Sequence, residues 1–265
     1  MLSYTNDTGT NHAYNIHRIM NYIKSSADLK STQIRLFLIG PPKSGKTFSA
    51  ATFPDPIFVD FDKGLTSPEL RERKLKFLPM YDNDFIKNEM KQQNSVNALT
   101  WFLKNEAPKL TNEQTIVLDS LSTIGDVVME DCVKRTPINN GKPEGYWTWT
   151  EWAKWWLNLC HMFNSLTCHV VVTAHEKEIR NDETGKLEGY LWLMKGKDFS
   201  PRMPQFFTDI FRQIKTSKEA GGKITEEFNW QVKGDTAFPF ACTRMTTDQK
   251  LVKADFSVLR SAYKF

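Results

Sequence analysis

Gly40-Pro41-Pro42-Lys43-Ser44-Gly45-Lys46-Thr47 decides how the rest of the chain is read. It fits G-x-x-x-x-G-K-[ST], the phosphate-binding P-loop, and each fixed position has a physical task. Gly40 and Gly45 permit backbone conformations closed to residues with a Cβ. The amides of residues 40–48, from Gly40 to Phe48, can then turn inward around an anion. Lys46 reaches the terminal phosphates, and the Thr47 hydroxyl is placed for Mg²⁺. The context agrees. Ile34–Ile39 (I-R-L-F-L-I) is an apolar run ending at Gly40, and Lys46–Thr52 reads as a helix stopped before Pro54. Strand, glycine loop and helix come in the required order, and the helix N-terminus adds a positive dipole end.

Outward from this loop, further apolar runs end in polar residues. Ile57-Phe58-Val59-Asp60-Phe61-Asp62 is a strand closing on two acids. A carboxylate here can take a proton from an attacking water. Asp62 is the candidate base and Asp60 the alternative. Thr115-Ile116-Val117-Leu118-Asp119 has the Walker B pattern, with Asp119 holding Mg²⁺ partly through water. Val170-Val171-Val172-Thr173-Ala174-His175 is a buried strand expected to end at His175, where a sensor of the terminal phosphate would sit.

Between these runs, a helix is expected over Asp84–Lys104. A long core-facing helix carries Trp152, Trp155, Trp156, Leu159, Phe163 and Leu166 at helical spacing. Phe228–Val232 and Phe238–Met245 read as terminal strands around a Gly234-Asp235 turn. Alternating strands and helices imply an α/β fold: a mostly parallel central sheet with helices on both faces and antiparallel strands at the C-terminal end. Residues 31–265 form this core. Residues 1–30 form an N-terminal segment in which Ala13–Ile23 is patterned as a short amphipathic helix for subunit contact.

Composition bounds the class. The 265 residues carry 40% hydrophobic and 25% charged residues and a net charge of +4, as in an ordinary globular protein. Four cysteines without C-x-x-C spacing point to a reduced, cytoplasmic setting rather than a disulfide framework. No run approaches the roughly 18 apolar residues of a membrane span.

In order and spacing, G-P-P-K-S-G-K-T, I-F-V-D-F-D-K-G, T-I-V-L-D-S and V-V-V-T-A-H resemble the motifs of RecA-like recombinase ATPases. The chain is most similar to the small core-only members encoded by bacteriophages, the Sak-type single-strand annealing ATPases. The resemblance implies a slow, DNA-stimulated ATPase using ATP and Mg²⁺ and acting in recombination or annealing. It implies a homo-oligomer, ring or filament, on single-stranded DNA, with a single-strand DNA-binding protein as a helper. RecA has Glu where this chain has Asp62, one C–C bond shorter (about 1.5 Å), and Gln where it has His175. Other classes consistent with the motifs are a helicase-type or packaging motor and a non-hydrolysing, ATP-gated annealing scaffold.

The family pattern also directs attention to two loops for DNA. The first, Lys134–Trp149, carries Lys134, Arg135 and Lys142 with Tyr146, Trp147 and Trp149. Cations neutralise phosphates, and aromatics stack on bases without reading sequence. The second, Glu176–Pro204, carries Lys177, Arg180, Lys195, Lys197 and Arg202, with a hairpin expected around Asn181–Gly185. Arg244, expected on the last strand, is the candidate for a residue reaching into a neighbouring subunit's site.

Overall fold

The computed structural model describes residues 33–196, 200–220 and 223–263. The N-terminal segment 1–30 and Lys197 lie outside them. The first half of the fold comprises β1 (Arg35–Gly40), α1 (Lys46–Ala50), β2 (Pro56–Asp60), α2 (Pro68–Glu72), β3 (Lys76–Pro79), α3 (Asn83–Asn88), α4 (Ser95–Asn105) and β4 (Thr115–Asp119). Then come α5 (Leu121–Arg135), the short β5 (Ile138–Asn139) and β6 (Lys142–Pro143), and α6 (Gly145–Ser165). The remainder is β7 (His169–Arg180), β8 (Leu187–Trp192), β9 (Asp209–Ala220), β10 (Lys223–Gln231), β11 (Leu251–Lys253) and α7 (Phe256–Tyr263).

The sheet order is β11-β10-β9-β1-β7-β4-β2-β3, with β8 paired to β7. Pairing is parallel from β9 through β1, β7, β4 and β2 to β3, and antiparallel among β9, β10 and β11. This is the expected architecture. The central strands are continuous apolar runs because both faces are covered. Along β1, Phe37 and Ile39 face a layer built by α4, α5 and α6. Leu36 and Leu38 face a layer built by α1, α2 and α7. Trp152 and Trp156 of α6 are completely buried in the first layer.

Four local expectations need correction. The helix expected over Asp84–Lys104 is two helices. The chain turns at Lys91, whose φ is +55°, and Asn94 restarts it by accepting the Asn97 N–H at 2.9 Å. The tryptophan helix begins at Gly145, so Tyr146, Trp147 and Trp149 belong to its first turns rather than to a loop. The strand expected to stop at His175 runs on to Arg180, because β8 folds back and pairs with its second half. Phe238–Met245 is not a strand. It contributes one bridge, Cys242 to Ile210, and β11 takes the place beside β10.

Candidate active site

Parallel pairing places the ends of β1, β7, β4 and β2 together. Gly40 is level with His175, and Asp60 is level with Asp119. Side-chain alternation then sorts the chemistry. Thr173 and Asp119 lie on the face that carries α1, while Glu176 and Arg212 lie on the other.

The loop has the form its sequence requires. Gly45 has φ +90°, a left-handed conformation that favours glycine. A Cβ on Gly40 would approach Gln213 Cβ and Ser44 Oγ to 3.0 Å. Pro42 and Lys43 are exposed, Pro41 is half-buried, and Ser44 is buried with no hydrogen-bond partner for its hydroxyl. A buried, orphaned hydroxyl in this loop suits an anion with many acceptor oxygens. Lys46 Nζ donates to the Gly40 and Pro41 carbonyls at 2.9 Å each, so the ammonium is folded over the cradle. Burial pushes its pKa down to about 8, against the pull of Asp119, Glu176 and Asp62.

The divalent-cation residues meet directly. Thr47 Oγ1 donates to Asp119 Oδ2 at 2.8 Å, and Thr173 Oγ1 donates to Asp119 Oδ1 at 2.5 Å. Burial raises the Asp119 pKa, and these two hydroxyls oppose the rise. A hydroxyl and a carboxylate side by side, next to a phosphate cradle, are a hard-oxygen donor set suited to Mg²⁺.

Structure separates the two acids of β2. Asp60 is buried, and its Oδ1 accepts the N–H groups of Asp62 at 3.0 Å and Gly64 at 3.3 Å. Burial pushes its pKa up to about 6, with the Asp119 charge adding to the rise. Asp62 projects beyond the strand, and its Oδ2 lies 3.4 Å from His175 Nε2. Burial alone would raise its pKa. The neighbouring polar groups of His175, Thr123 and Ser120 outweigh that and hold it below the usual carboxylate range.

The DNA candidates are more scattered. Lys134 and Arg135 end α5 and pair with Glu130 and Asp131 one turn back. Lys142 lies exposed on β6. Lys177 and Arg180 lie on the β7–β8 hairpin, Arg180 paired with Glu178. The expected turn is present, with Asn181 Oδ1 accepting the N–H groups of Glu183 and Thr184. Lys195 pairs with Asp126, and Arg202 is exposed in a 3-10 turn over Ser200–Phe206. Tyr146 is 82% and Trp149 47% exposed. Arg244 is not on a strand. It is exposed just after the Cys242 bridge, where its charge helps lower the Arg35 pKa after burial. Arg35 opens β1 at the end away from the P-loop.

Three residues at the site escaped the sequence reading. Thr173 is visible in retrospect as a hydroxyl inside an otherwise apolar strand. Gln213, whose Oε1 accepts from Ser49 at 2.9 Å and Trp230 at 3.0 Å, and Phe228, which packs on Gly45, come from strands distant in sequence.

A family model described as an AAA domain matches residues 32–229, about three quarters of the chain. No curated protein matches it in sequence. Among solved structures the chain is similar to the flagellar accessory protein FlaH from Methanocaldococcus jannaschii, at 11% identity, 82% of this chain, 83% of that chain and TM-score 0.35. It is similar to the RadB recombinase at 12% identity, 75% and 87% coverage and TM-score 0.37. A prototypical ATPase from the type III secretion system of pathogenic bacteria matches at 7% identity, 68% and 50% coverage and TM-score 0.39.

Proposed function

We propose that this chain, which belongs to the AAA domain family, hydrolyses ATP at the P-loop and couples that cycle to single-stranded DNA. The observation that carries the reading is the Thr47–Asp119 contact at 2.8 Å, beside a projecting Asp62. It joins the cation residues of α1 and β4 at the mouth of the phosphate cradle. Mg²⁺ held by Thr47 and Asp119 would supply positive charge to the phosphate oxygens. Lys46 neutralises the terminal phosphates after leaving the Gly40 and Pro41 carbonyls. Asp62 orients the attacking water and accepts its proton. Asp60 fixes the turn that aims Asp62. His175 holds the Asp62 carboxylate and responds to the terminal phosphate.

The DNA half of the proposal is supported by cations and aromatics on exposed elements. The β7–β8 hairpin bears Lys177 and Arg180 and grows from the strand that carries His175. The ion pairs of Lys134, Arg180 and Lys195 are exposed, and such pairs are worth only about 0–1 kcal/mol, so phosphates can compete for the cations. The motif order resembles that of the Sak-type phage proteins, which supports a role in annealing or recombination by an oligomer. Arg244 lies far from the P-loop of its own subunit, so it could serve only a neighbour's site.

Phosphate release from ATP, followed with and without an unstructured oligonucleotide, tests this reading. Slow turnover that rises with single-stranded DNA is expected. Turnover indifferent to DNA removes the coupling, and tight ATP binding without turnover supports an annealing scaffold instead.

A further inference from the structure

Beneath the phosphate cradle lies a buried amide that the proposed hydrolysis does not use. Arg212 of β9 is level with Ile39 of β1, so the next residue, Gln213, stands beside Gly40, where the strand becomes the loop. Phe211, two residues earlier, belongs to the layer on the α1 side. Strand alternation puts Gln213 on that same face, and its side chain is completely buried there.

Gln213 meets the loop at both ends. At the start, a Cβ on Gly40 would lie 3.0 Å from Gln213 Cβ and 3.0 Å from its carbonyl oxygen, so β9 abuts the first loop residue. Past the other end, Ser49 Oγ of α1 donates to Gln213 Oε1 at 2.9 Å. The same oxygen accepts the Trp230 Nε1–H at 3.0 Å, and Trp230 is the cross-strand neighbour of Gln213 on β10. Ser49, Gln213 and Trp230 are all fully buried, so bulk water does not compete for these bonds.

The P-loop helix needs such a hold. It has five residues, Lys46–Ala50, little more than one turn, and short helices have little stability of their own. Lys46 and Thr47 ride on it, so a tilt of α1 displaces both cradle residues at once. Gln213 Nε2 is buried with no hydrogen-bond partner among the described residues, a standing cost to the fold. An apolar side chain of similar length would avoid that cost and lose the hold on Ser49. The amide thus serves position more than stability.

We propose that Gln213 is a positioning residue for the phosphate cradle. Through Ser49 it holds α1 at the distance from Gly40 that the cradle requires, and Trp230 of the antiparallel extension orients its amide. The inference rests on nucleotide binding at the P-loop and adds what keeps that loop formed. Without the link, α1 samples other placements, and apparent affinity falls with the fraction of molecules in which the cradle is formed. Loss of one net hydrogen bond corresponds to about fivefold.

Isothermal titration of Mg-ATP and of Mg-tripolyphosphate into the full chain, Ser49→Ala, Gln213→Met and the double variant tests this, with steady-state hydrolysis alongside. Ser49→Ala removes only the link to α1, because Gln213 Oε1 keeps Trp230. Both single variants are expected to bind both ligands about fivefold more weakly at unchanged stoichiometry. The KM for ATP should rise alike, with kcat within about twofold of the parent. The double variant should lose no more than Gln213→Met alone, since both substitutions break one contact. Parent affinity in Ser49→Ala, or reduced stoichiometry at parent affinity in either variant, would assign these residues to packing and overturn the proposal. Losses that add in the double variant would overturn it too. A parent that binds neither ligand overturns the underlying P-loop reading as well.

Discussion

Asp62 Oδ2 and His175 Nε2 lie 3.4 Å apart, one two residues beyond β2 and the other level with the last residue of β1. The residue proposed as base and the residue proposed as sensor therefore touch before any phosphate arrives. His175 Nδ1 is buried and accepts or donates no hydrogen bond among the described residues, so Asp62 is the imidazole's polar anchor. The same strand continues from His175 into the β7–β8 hairpin. An event on that hairpin thus has a short covalent route to His175, which touches the base.

This contact predicts a pH effect. His175 lowers the Asp62 pKa, so His175→Ala lets it rise. A base acts only when deprotonated. The acid limb of the turnover–pH profile should therefore move to higher pH in the variant, with ATP affinity retained. An acid limb that stays in place would separate His175 from the base.

Thr173 is a positioning residue for Asp119. Thr173→Val keeps the shape and removes the donor to Oδ1, leaving a buried carboxylate oxygen unpaired at a cost of about 1–3 kcal/mol. Loss of such an outer hydrogen bond typically weakens metal affinity about 10–100-fold. The Mg²⁺ concentration needed for half-maximal ATP binding should rise accordingly, and Thr173→Ser should restore it. A rise that Thr173→Ser leaves in place would assign the effect to packing.

Stability should fall on mild acidification because of His169. Its ring is buried at the start of β7, where Nδ1 accepts the Ile34 N–H at 3.0 Å. Burial pushes its pKa down to about 4, against an ordinary value of 6.5. The unfolded chain then binds the proton more readily than the folded one. Stability is fully present above about pH 6.5 and drains away as pH falls toward 4. Between pH 7 and 5 the loss from this group is about 2 kcal/mol. Urea midpoints at the two pH values should show it, and His169→Gln should flatten the difference.

DNA binding should tolerate sequence and weaken with salt. If Lys195, Lys197 and Arg202 each neutralise one phosphate, the triple alanine variant should flatten the log–log salt slope by about 2, at roughly 0.7 per contact. Fluorescence anisotropy of a labelled oligonucleotide across a salt series measures it. An unchanged slope would move the DNA site to the α5–α6 connection and the first turns of α6, where Lys142, Tyr146 and Trp149 are exposed.

Much of this architecture was legible in the sequence, for a reason visible in β1, β4 and β7. Strands buried on both faces are written as uninterrupted apolar runs, and their ends carry the polar residues that meet at the site. Asp60 and Asp62 were harder to separate. Both follow the same run, and only the turn in which Gly64 donates to Asp60 shows which carboxylate faces inward. The β9–β10 pair was obscure because its outer half is rich in Lys, Thr, Ser and Glu, a pattern that gives neither period cleanly. Phe228 could not be assigned to the P-loop from sequence, because its neighbour Gly45 is set by pairing across β9 and β1. From Leu193 to Lys223 the sequence carries seven basic residues against three acids, a local excess of positive charge. In the fold, Arg212 is held by Glu176 at 2.9 and 3.1 Å and Lys215 pairs with Glu226, both on a strand.

The measurement that bears most directly on the account is single-turnover hydrolysis by Asp62→Asn and Asp60→Asn beside their Mg-ATP affinities. Asp62→Asn preserves shape and removes the proton acceptor. It should bind ATP within about threefold of the parent and lose turnover by about 10²–10⁴-fold, the usual worth of a general base. Asp60→Asn should act mainly on stability, since its carboxyl ties the turn rather than facing the water. Full turnover in Asp62→Asn, or its loss only in Asp60→Asn, would contradict the assignment of Asp62 as the base.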